Sequence, residues 1–386
     1  MKILFVCGCF EPGQDGVGDY VRTLGMELIS VGCQVGVLAL NDKSISEALV
    51  ENRVGQLLAL RLPFSMRWSE RKKKALDFIA GFDPSIISVQ LVPYSWHAKG
   101  VPFLFPHRLE KITEGYKLHL MFHELYIGAW DKSSLKQRMI GFLQKKLFIS
   151  PLANLASVQT ISTNTLLHAC LLKKMGVSAG FLPLFGNVKV CKINQGQIKK
   201  WWFDKTGINR ASSFIVGSFG TLRKGTFREE VLSKLHAEAS RRGQSLVVVV
   251  AGNLSEAGLS YFLSLGSSLN VRFVNLGKLS FEEVSYFLQS IDLGIGSTPI
   301  LYAGKSGSIA AMIEHGLPVL LPNDDFNISG VDYSDLARLR LSNVRHISDP
   351  DFSVWITESA VAGRGSLAPE IAKIFLEQVG LCDART

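Results

Sequence analysis

The sequence predicts an α/β fold with two doubly wound parallel sheets in separate domains. Strand-like and helix-like apolar patterns alternate along most of the chain, and the first strand leads through a glycine-rich loop into a helix. The segment Pro183–Ser213 has no clear periodicity and interrupts the alternation. We therefore expect domains at residues 1–182 and 183–365, followed by a C-terminal helix within 366–386 that packs on either of them.

Composition indicates a globular protein. Hydrophobic residues make up 47% of the chain and charged residues 19%, a balance that supplies two cores and does not favour disorder. No apolar run approaches the roughly 18 residues of a membrane span, and the N-terminal MKILFVCGCFEPG is predicted to be a buried strand rather than a signal peptide. The six cysteines form no CxxC pair, so we expect reduced thiols in a cytoplasmic protein without structural zinc.

Positive charge is concentrated in the first half. Residues 1–182 contain 21 Lys and Arg against 14 Asp and Glu, a net +7 of the total +9. A basic first half favours an anionic partner: an anionic acceptor, anionic lipid or nucleic acid. Nucleic acid ranks last because no nucleic-acid-binding motif accompanies the charge. Two basic groups are either solvated faces or contacts with the inner membrane face: the run Arg71–Lys74, and Lys136, Arg138, Lys145 and Lys146 on the predicted helix Leu135–Ile149.

The first strand–loop–helix predicts a ligand site. The strand is expected at Lys2–Cys9, the loop at Phe10–Gly18 and the helix at Asp19–Val31. In parallel α/β sheets ligands bind near the carboxyl end of such a strand. The loop is a poor dinucleotide fingerprint, because Val21 stands where the third glycine is required.

His123 and Glu124 follow the predicted strand Lys117–Phe122. Charged residues at the carboxyl end of a strand usually face a ligand crevice. The zinc motif HExxH is excluded, because Ile127 stands where the second histidine is required. The alternative for His123 is a capping side chain that hydrogen-bonds backbone.

The remaining elements continue the alternation. Further strands are expected at Val35–Leu40, Gln56–Leu62, Ser85–Val89, Ser157–Ile161, Phe214–Phe219, Leu246–Ala251, Val271–Leu276 and around Val344–Ile347. Further helices are expected at Glu70–Gly81, Pro151–Ala156, from Ser162 to Met175, at Thr226–Arg241 and Glu256–Leu265, after a Ser280–Glu283 capping box, and at Ala368–Val379.

The stretch Ile291–Leu321 predicts a phosphate site. A strand to Ile295 is followed by Gly304-Lys305-Ser306-Gly307-Ser308 and a helix from about Ser306 to His315, which Gly316 ends. The first N–H groups of a helix lack backbone partners and favour anions, and Lys305 adds a full positive charge. Pro299 stands where a P-loop needs glycine. The alternative is an ordinary helix start in which Ser306 is the cap and Lys305 is solvated.

A second cationic segment follows the strand Phe214–Phe219. Arg223 and Lys224 lie there among glycines, and two such cations suit a diphosphate. Lys305 follows another strand of the same predicted sheet, so the three cations are expected at one edge. Two α/β domains, one with this cationic rim and one with a glycine-rich loop, are expected to face each other across a cleft that binds a nucleotide diphosphate compound.

These segments resemble those of GT-B glycosyltransferases of family 4. Asp15–Tyr20 resembles the GGVGDY loop of that family, Phe219–Gly225 its basic diphosphate segment, Leu276–Leu279 its loop near the donor base, and Ile291–Leu321 its donor-binding strand–loop–helix. The resemblance implies two Rossmann-like domains, a nucleotide-sugar donor, a saccharide or lipid-linked acceptor, no organic cofactor and no metal. By alignment Ala303 and Ala311 replace two glutamates of the family, and Glu314 is either a substitute ribose contact or a helix-end residue.

With the resemblance, specific roles can be assigned as expectations. The expected catalytic residues are His123, Glu124 and Asp19, and the acceptor-side loop is Gly16, Val17 and Gly18. Donor diphosphate contacts are expected from Arg223, Lys224, Lys305, Ser306, Gly307 and Ser308. Nucleoside contacts are expected from Gly277, Lys278, Leu279 and Glu314. The expected function is sugar transfer from a nucleotide-diphosphate sugar; the alternatives are a nucleotide-sugar epimerase, or a non-catalytic binder because the two glutamates are missing.

Overall fold

A computed structural model describes residues 1–52, 57–186, 188–220, 222, 226–252, 260, 264, 271–322, 328, 344–347, 354–356 and 365–380. The chain divides into two compact units. The first contains Met1–Leu184 together with the C-terminal helix, and the second begins at Phe185. Each unit has its own sheet.

The first unit is built on a mostly parallel sheet. Its described strands are β1 (Lys2–Cys7), β2 (Gln34–Asp42), β3 (Leu49–Asn52), β4 (Leu58–Pro63), β5 (Ile86–Leu91), β6 (Leu118–Phe122), β7 (Val158–Thr163) and β8 (Gly180–Phe181). Their order is β3-β4-β2-β1-β5-β6-β7-β8, and β3 runs antiparallel to β4. The apolar β1 residues Ile3–Cys7 are fully buried, as expected for a parallel strand that is covered on both faces.

Helices connect these strands. They are α1 (Gly16–Ser30), α2 (Trp68–Phe82), α3 (Pro93–Trp96), α4 (Phe105–Ile112), α5 (Leu135–Gln144), α6 (Ser150–Ala153) and α7 (Leu166–Lys173), with a π-helical turn at Lys145–Ile149 between α5 and α6. Among the residues described, no helix is both long and apolar enough to span a bilayer.

The second unit is doubly wound around a parallel sheet. Its described strands are β9 (Ser213–Phe219), β10 (Ser245–Ala251), β11 (Arg272–Gly277), β12 (Leu293–Ile295), β13 (Val319–Leu321) and β14 (Val344–His346), in the order β11-β10-β9-β12-β13-β14. The α-helices of this unit whose bounds the structure describes are α8 (Gln195–Thr206), α9 (Glu229–Arg241), α10 (Phe281–Ser290) and α11 (Gly307–Glu314). Ile215 packs into the core on one face of the sheet and Phe214 and Val216 into the core on the other, as strand alternation requires.

The C-terminal helix α12 (Ala368–Gln378) belongs to the first unit. It packs on α1, and the Phe375 ring lies 5.7 Å from the Phe5 ring, centroid to centroid. The sequence had left its position open between the two domains.

The structure corrects several sequence predictions. Helix α1 begins at Gly16 instead of Asp19, because Asp15 caps it. The aperiodic segment contains α8, which Asn194 and Gln197 start with a capping box. Helix α7 is capped by Thr165 instead of Ser162, which lies in β7. Strand β3 and helices α3 and α4 were not predicted, and the helix expected at Glu256–Leu265 lies outside the described residues apart from Ser260 and Ser264.

Candidate functional site

The second sheet reverses its winding between β9 and β12. The chain passes from β9 to β10 and β11 on one side and then to β12 on the other. Gly217 of β9 pairs with Gly294 of β12 in parallel register, so the loops that follow the two strands leave from the same edge, as the sequence predicts. Ligands of open α/β sheets bind at such a reversal.

Three glycines end neighbouring strands at this edge. Gly220, Gly252 and Gly277 all have positive φ, a conformation that side-chain-bearing residues rarely adopt. The Gly220 N–H donates to Ala251 O at 3.0 Å, and the Gly252 N–H donates to Gly277 O at 2.7 Å. A Cβ on Gly252 would lie 2.8 Å from Gly220 O. The backbones at the ends of these three strands therefore pack directly against each other. Gly252 was not among the predicted site residues, although it directly follows a predicted strand.

The segment after β12 forms a short 3-10 helix, Ile300–Lys305, and then α11. Ser306 is the cap of α11: its Oγ accepts a hydrogen bond from Ile309 N at 3.4 Å and lies 3.0 Å from Ser308 Oγ. The half-buried Lys305 places its ammonium 5.3 Å from the centroid of the Tyr302 ring. Gly307 and Ser308 form the first turn of α11, where backbone N–H groups lack partners within the helix.

Glycines in β12 and just after it allow α11 to lie close to the sheet. A Cβ on Gly294 would meet Met312 Sδ of α11 at 2.7 Å, and one on Gly296 would meet Ile309 Cγ1 of α11 at 3.0 Å. The start of α11 is thereby fixed beside the end of β12. The other predicted cations of this edge, Arg223 and Lys224, lie outside the described residues.

The predicted nucleoside loop lies at the end of β11. Gly277 ends the strand with a φ of 64°. Lys278 is exposed, and Leu279 packs against the core of the second unit. Ser280 then caps α10 with the predicted capping box to Glu283. This loop follows a strand of the same sheet, and its contact with a nucleoside stays a prediction.

Glu314 is buried at the end of α11, with 2% of its surface exposed. Its Oε1 accepts a hydrogen bond from Leu367 N at 2.8 Å, and the carboxylate also accepts from the Gly186 N–H. Burial raises the pKa of this carboxyl group, and the two amide hydrogen bonds oppose that shift. The side chain thus joins the two ends of the second unit. This arrangement favours the helix-end role, and the ribose contact stays a prediction.

In the first unit, Gly16, Val17 and Gly18 form the first turn of α1, instead of the predicted loop. Asp15 Oδ1 accepts from Val17 N at 2.8 Å and from Gly18 N at 3.3 Å. Asp15 stands where the GGVGDY motif has its first glycine, and its capping role explains how a carboxylate is accommodated there. A Cβ on Gly18 would lie 2.9 Å from Cys9 O, so the helix start needs glycine to pack against the end of β1.

Asp19 and Asp42 hold the loop that follows β1. Asp19 Oδ1 accepts a hydrogen bond from Gly13 N at 3.0 Å. Asp42 Oδ2 accepts from Phe10 N at 3.2 Å and from Arg61 Nε at 2.8 Å. Although burial opposes the shift, the Arg61 hydrogen bond and others lower the pKa of Asp42. Among the described residues, no three His, Cys, Asp or Glu side chains are grouped as metal ligands.

His123 lies at the end of β6, as predicted, and is 6% exposed. Its Nε2 lies 2.8 Å from Gln90 Oε1, and its Nδ1 lies 3.3 Å from Asn164 Nδ2. The Tyr20 ring meets the imidazole edge to face at 5.0 Å. The three partners described here are side chains, and the choice between a ligand-facing and a capping role for His123 stays a prediction. The neighbouring Glu124 is half-buried.

The contact between His123 and Gln90 continues as a buried hydrogen-bond chain across the sheet. Gln90 Nε2 donates to Ser88 Oγ at 2.8 Å. His119 lies 2.8 Å from Ser88 Oγ through Nδ1 and 2.9 Å from Ser162 Oγ through Nε2. Ser162 donates to Gln378 Oε1 at 2.6 Å, so the chain reaches α12. Burial, with a contribution from His123, lowers the pKa of His119 to about 3.

The direction of this chain assigns the His123 tautomer. The Gln90 amide nitrogen donates to Ser88, so the Gln90 oxygen accepts, and the proton of His123 lies on Nε2. Nδ1 is then a hydrogen-bond acceptor beside the amide of Asn164. The sequence analysis missed Ser88, His119 and Asn164 as members of this network.

No protein-family model and no curated protein sequence matches the chain. Solved structures do match. Anabaena HepE in complex with UDP has a TM-score of 0.54 at 10% identity, over 98% of this chain and 95% of that one. A glycosyltransferase from Rickettsia africae has a TM-score of 0.53 at 12% identity, over 98% and 94%. The UDP-GlcNAc 2-epimerase of Methanocaldococcus jannaschii has a TM-score of 0.48 at 9% identity, over 99% and 100%, a similarity too low to carry an argument.

At these identities the likeness shows the fold alone. The chain has two parallel-sheet α/β units and the GT-B fold that the sequence predicts. Membership of glycosyltransferase family 4 stays a prediction.

Proposed function

We propose that the protein is a glycosyltransferase that moves a sugar from a nucleotide-diphosphate sugar to a saccharide or lipid-linked acceptor. The observation that carries the proposal is the position of Lys305 and of the start of α11. They follow β12 through a short 3-10 helix, at the point where the second sheet reverses its winding. HepE, which shares the fold, has been crystallised with UDP and with UDP-glucose.

In this proposal the donor diphosphate binds at the start of α11. The Lys305 ammonium and the first N–H groups of the helix, at Gly307 and Ser308, neutralise its charge together with Arg223 and Lys224. Ser306 keeps its capping role and contributes its hydroxyl. As the sugar leaves, negative charge grows on the diphosphate, and prearranged cations and dipoles stabilise that charge most in the transition state. In this proposal, side chains and backbone N–H groups of the protein supply the stabilisation without a metal ion.

The nucleoside is proposed to lie on the loop Gly277–Leu279. This loop follows β11 and belongs to the same sheet edge as the proposed diphosphate site. Positive φ at Gly277 turns the chain out of the strand, and Lys278, which follows it, is exposed and available to a base. Glu314 contributes indirectly, because its carboxylate fixes the chain ends beside α11.

The acceptor is proposed to bind the first unit near α1 and the end of β6. His123 presents Nδ1 as its acceptor atom, because Nε2 donates to Gln90. Nδ1 would exchange its long contact with Asn164 for a hydrogen bond from a hydroxyl group of the acceptor substrate. This bond would orient the hydroxyl and assist its deprotonation, with Glu124 beside it. Asp19 orders the loop after β1 through Gly13.

The test is a donor screen followed by a turnover assay. Nucleoside diphosphates are first ranked by thermal shift, since a ligand that binds the folded state raises the apparent melting temperature. The matching nucleotide sugars are then incubated with and without candidate acceptors. A transferase releases free nucleoside diphosphate in an acceptor-dependent manner. Interconversion of the donor without acceptor would identify an epimerase, and binding without any turnover a non-catalytic binder.

A further inference from the structure

A small pocket in the first unit combines cationic and aromatic side chains. It has a volume of about 150 Å³ and lies beside the carboxyl end of β2, where α2 and α4 begin. Neither helix has a side-chain cap at its start. The first turn of α2 therefore directs uncapped N–H groups and the positive end of its dipole to this region, whereas in α4 the Phe105 N–H donates to Pro102 O and Pro106 has no N–H.

Arg71 extends into the pocket from the first turn of α2. Its Nη1 donates to Leu40 O at 2.8 Å and to Asn41 Oδ1 at 2.9 Å. Its Nε is buried and has no hydrogen-bond partner among the residues that the structure describes. Two neutral oxygens thus occupy the Nη1 donors and hold the guanidinium in place without neutralising its charge, and the Nε N–H is among the donors left for a ligand.

Two further donors line the same pocket. The Arg108 guanidinium, from the first turn of α4, lies 4.9 Å from the centroid of the Trp68 ring. The indole of Trp96 stacks on Phe105 at 4.1 Å, and its Nε1 is buried without a partner in the described part of the chain. A buried N–H without an acceptor costs free energy unless a ligand satisfies it.

The charge of the pocket is positive and uncompensated. Burial, together with the nearby Arg108, lowers the pKa of Arg71. No acidic side chain is among the described residues that line the pocket. Two close guanidinium groups without a carboxylate are stabilised by a bound anion, and their planar, bidentate geometry suits phosphate.

The rim of the pocket is apolar and exposed. Phe64, Phe103 and Leu104 expose 58%, 57% and 47% of their surfaces. All three line the opening. A volume of about 150 Å³ is below the roughly 300–1,000 Å³ of pockets that enclose a whole drug-sized ligand. The site therefore suits a single anionic group whose apolar remainder lies on the rim.

We propose that this pocket binds the phosphate group of an anionic amphiphile, with the hydrocarbon chain on Phe64, Phe103 and Leu104. Arg71 Nε, the Arg108 guanidinium and Trp96 Nε1 are the donors to the phosphate oxygens. The assignment of this ligand as the acceptor, a lipid phosphate, rests on the proposed function. Phosphate binding itself does not depend on it.

Calorimetric titration with n-octyl phosphate, below its critical micelle concentration and without any nucleotide sugar, tests the site. We expect one bound molecule per chain, and at least tenfold weaker binding of both inorganic phosphate and the uncharged n-octyl glucoside. Equal affinity for inorganic phosphate would overturn the amphiphile assignment and leave a free-phosphate site. Equal affinity for the glucoside would overturn the anion assignment.

Variants locate the binding. Arg108→Gln and Trp96→Phe should each weaken n-octyl phosphate binding by about tenfold or more, whereas the exposed Lys73→Gln on α2 should leave it unchanged. Arg71→Gln is less informative alone, because Arg71 also bonds Leu40 and Asn41. Unchanged affinity in a folded Arg108→Gln protein would refute the proposal. The titration contains no nucleotide sugar, so that result would leave the transferase proposal intact. Conversely, a wild-type protein that binds n-octyl phosphate but shows no acceptor-dependent turnover would contradict the transferase proposal alone.

Discussion

His123 Nε2 lies 2.8 Å from Gln90 Oε1, and Gln90 Nε2 lies 2.8 Å from Ser88 Oγ. These two distances orient the Gln90 amide and thereby place the proton of His123 on Nε2. A histidine whose tautomer is fixed by its surroundings is prearranged to accept a hydrogen bond at the other nitrogen. The relationship therefore supports a role for His123 in orienting a hydroxyl.

Replacement of His123 by alanine tests that role. We expect turnover to fall by roughly 10²-fold or more, the usual contribution of a positioned acid or base, while affinity for nucleoside diphosphate stays within about twofold. Steady-state kinetics and calorimetry on the same preparation measure both. His119→Ala is the control for disruption of the buried chain, since His119 lies deeper in it and is not proposed to touch substrate. Unaltered turnover in His123→Ala would assign the residue to structure.

His119 predicts a pH dependence of stability. Its pKa is lowered to about 3 in the folded state, against about 6.5 when unfolded. The unfolded chain therefore binds more protons between these values, and stability falls as pH falls below about 6.5. At pH 5 the loss from this group is about 2 kcal/mol. Urea unfolding of wild type and His119→Leu at pH 7 and pH 5 should show a smaller pH-dependent loss in the variant. Equal losses would mean that His119 is not held neutral.

Lys305 tests the donor site. If the diphosphate binds there, Lys305→Ala removes a charge-assisted contact of about 1.5–3 kcal/mol, or on the order of 10–100-fold in nucleoside diphosphate affinity. The melting temperature should change little, because Lys305 is only half-buried and lies at the junction between the 3-10 helix and α11. Lys199→Ala, an exposed lysine on α8, is the matched control for charge. Normal affinity in the Lys305 variant would leave Ser306 as an ordinary helix cap and remove the donor assignment.

Helix α5 predicts contact with an anionic surface. Leu135, Met139 and Phe142 recur at helical spacing and expose 85%, 61% and 54% of their surfaces. Lys136 and Arg138 flank them, an arrangement typical of helices that lie in a membrane interface. At low salt we expect sedimentation with anionic but not neutral vesicles, reduced by Phe142→Ser and by raising the salt concentration. Equal recovery with both vesicle types would make α5 a solvated face.

Local patterns predicted most of the sheet elements. Short apolar runs rich in β-branched and aromatic residues, such as Ile3–Val6, favour buried strands, and Gly316 with positive φ stops α11 as expected. The antiparallel β3 was missed because Leu49 and Val50 are exposed and carry no alternating pattern. Helix α8 was missed because two tryptophans and three lysines obscure its period, although its Asn194–Gln197 capping box is visible in the sequence.

The site was harder to predict than the fold. His123 and the edge shared by the loops after β9 and β12 follow from parallel-sheet topology, which sequence periodicity reveals. The partners of His123 do not, because Gln90 lies in β5 and Asn164 directly after β7, and both meet His123 only through tertiary packing. Arg71 shows the same limit: a basic run is usually solvated, yet packing turns this one guanidinium inward to Leu40 and Asn41.

Glu314 offers the sharpest choice between a structural and a ligand-binding role. Its carboxylate accepts from Leu367 N and Gly186 N, and a Cβ on Gly186 would lie within 2.4 Å of Glu314 Oε2. Glu314→Ala leaves two buried amides without an acceptor, at about 1–3 kcal/mol each. We therefore expect a markedly lower free energy of unfolding.

The variant Glu314→Gln separates charge from hydrogen bonding. Its amide oxygen can still accept from one N–H, but its NH₂ group faces the other donor, so the variant should lie between wild type and Glu314→Ala in urea unfolding. Burial raises the pKa of Glu314, so the folded state binds the proton more tightly than the unfolded state does. The stability that this group contributes to the wild type therefore declines as pH rises from the unfolded-state pKa through the folded-state pKa. Glutamine removes this dependence. If instead both variants keep wild-type stability and lose nucleoside diphosphate affinity, the carboxylate contacts the donor and the structural role is wrong.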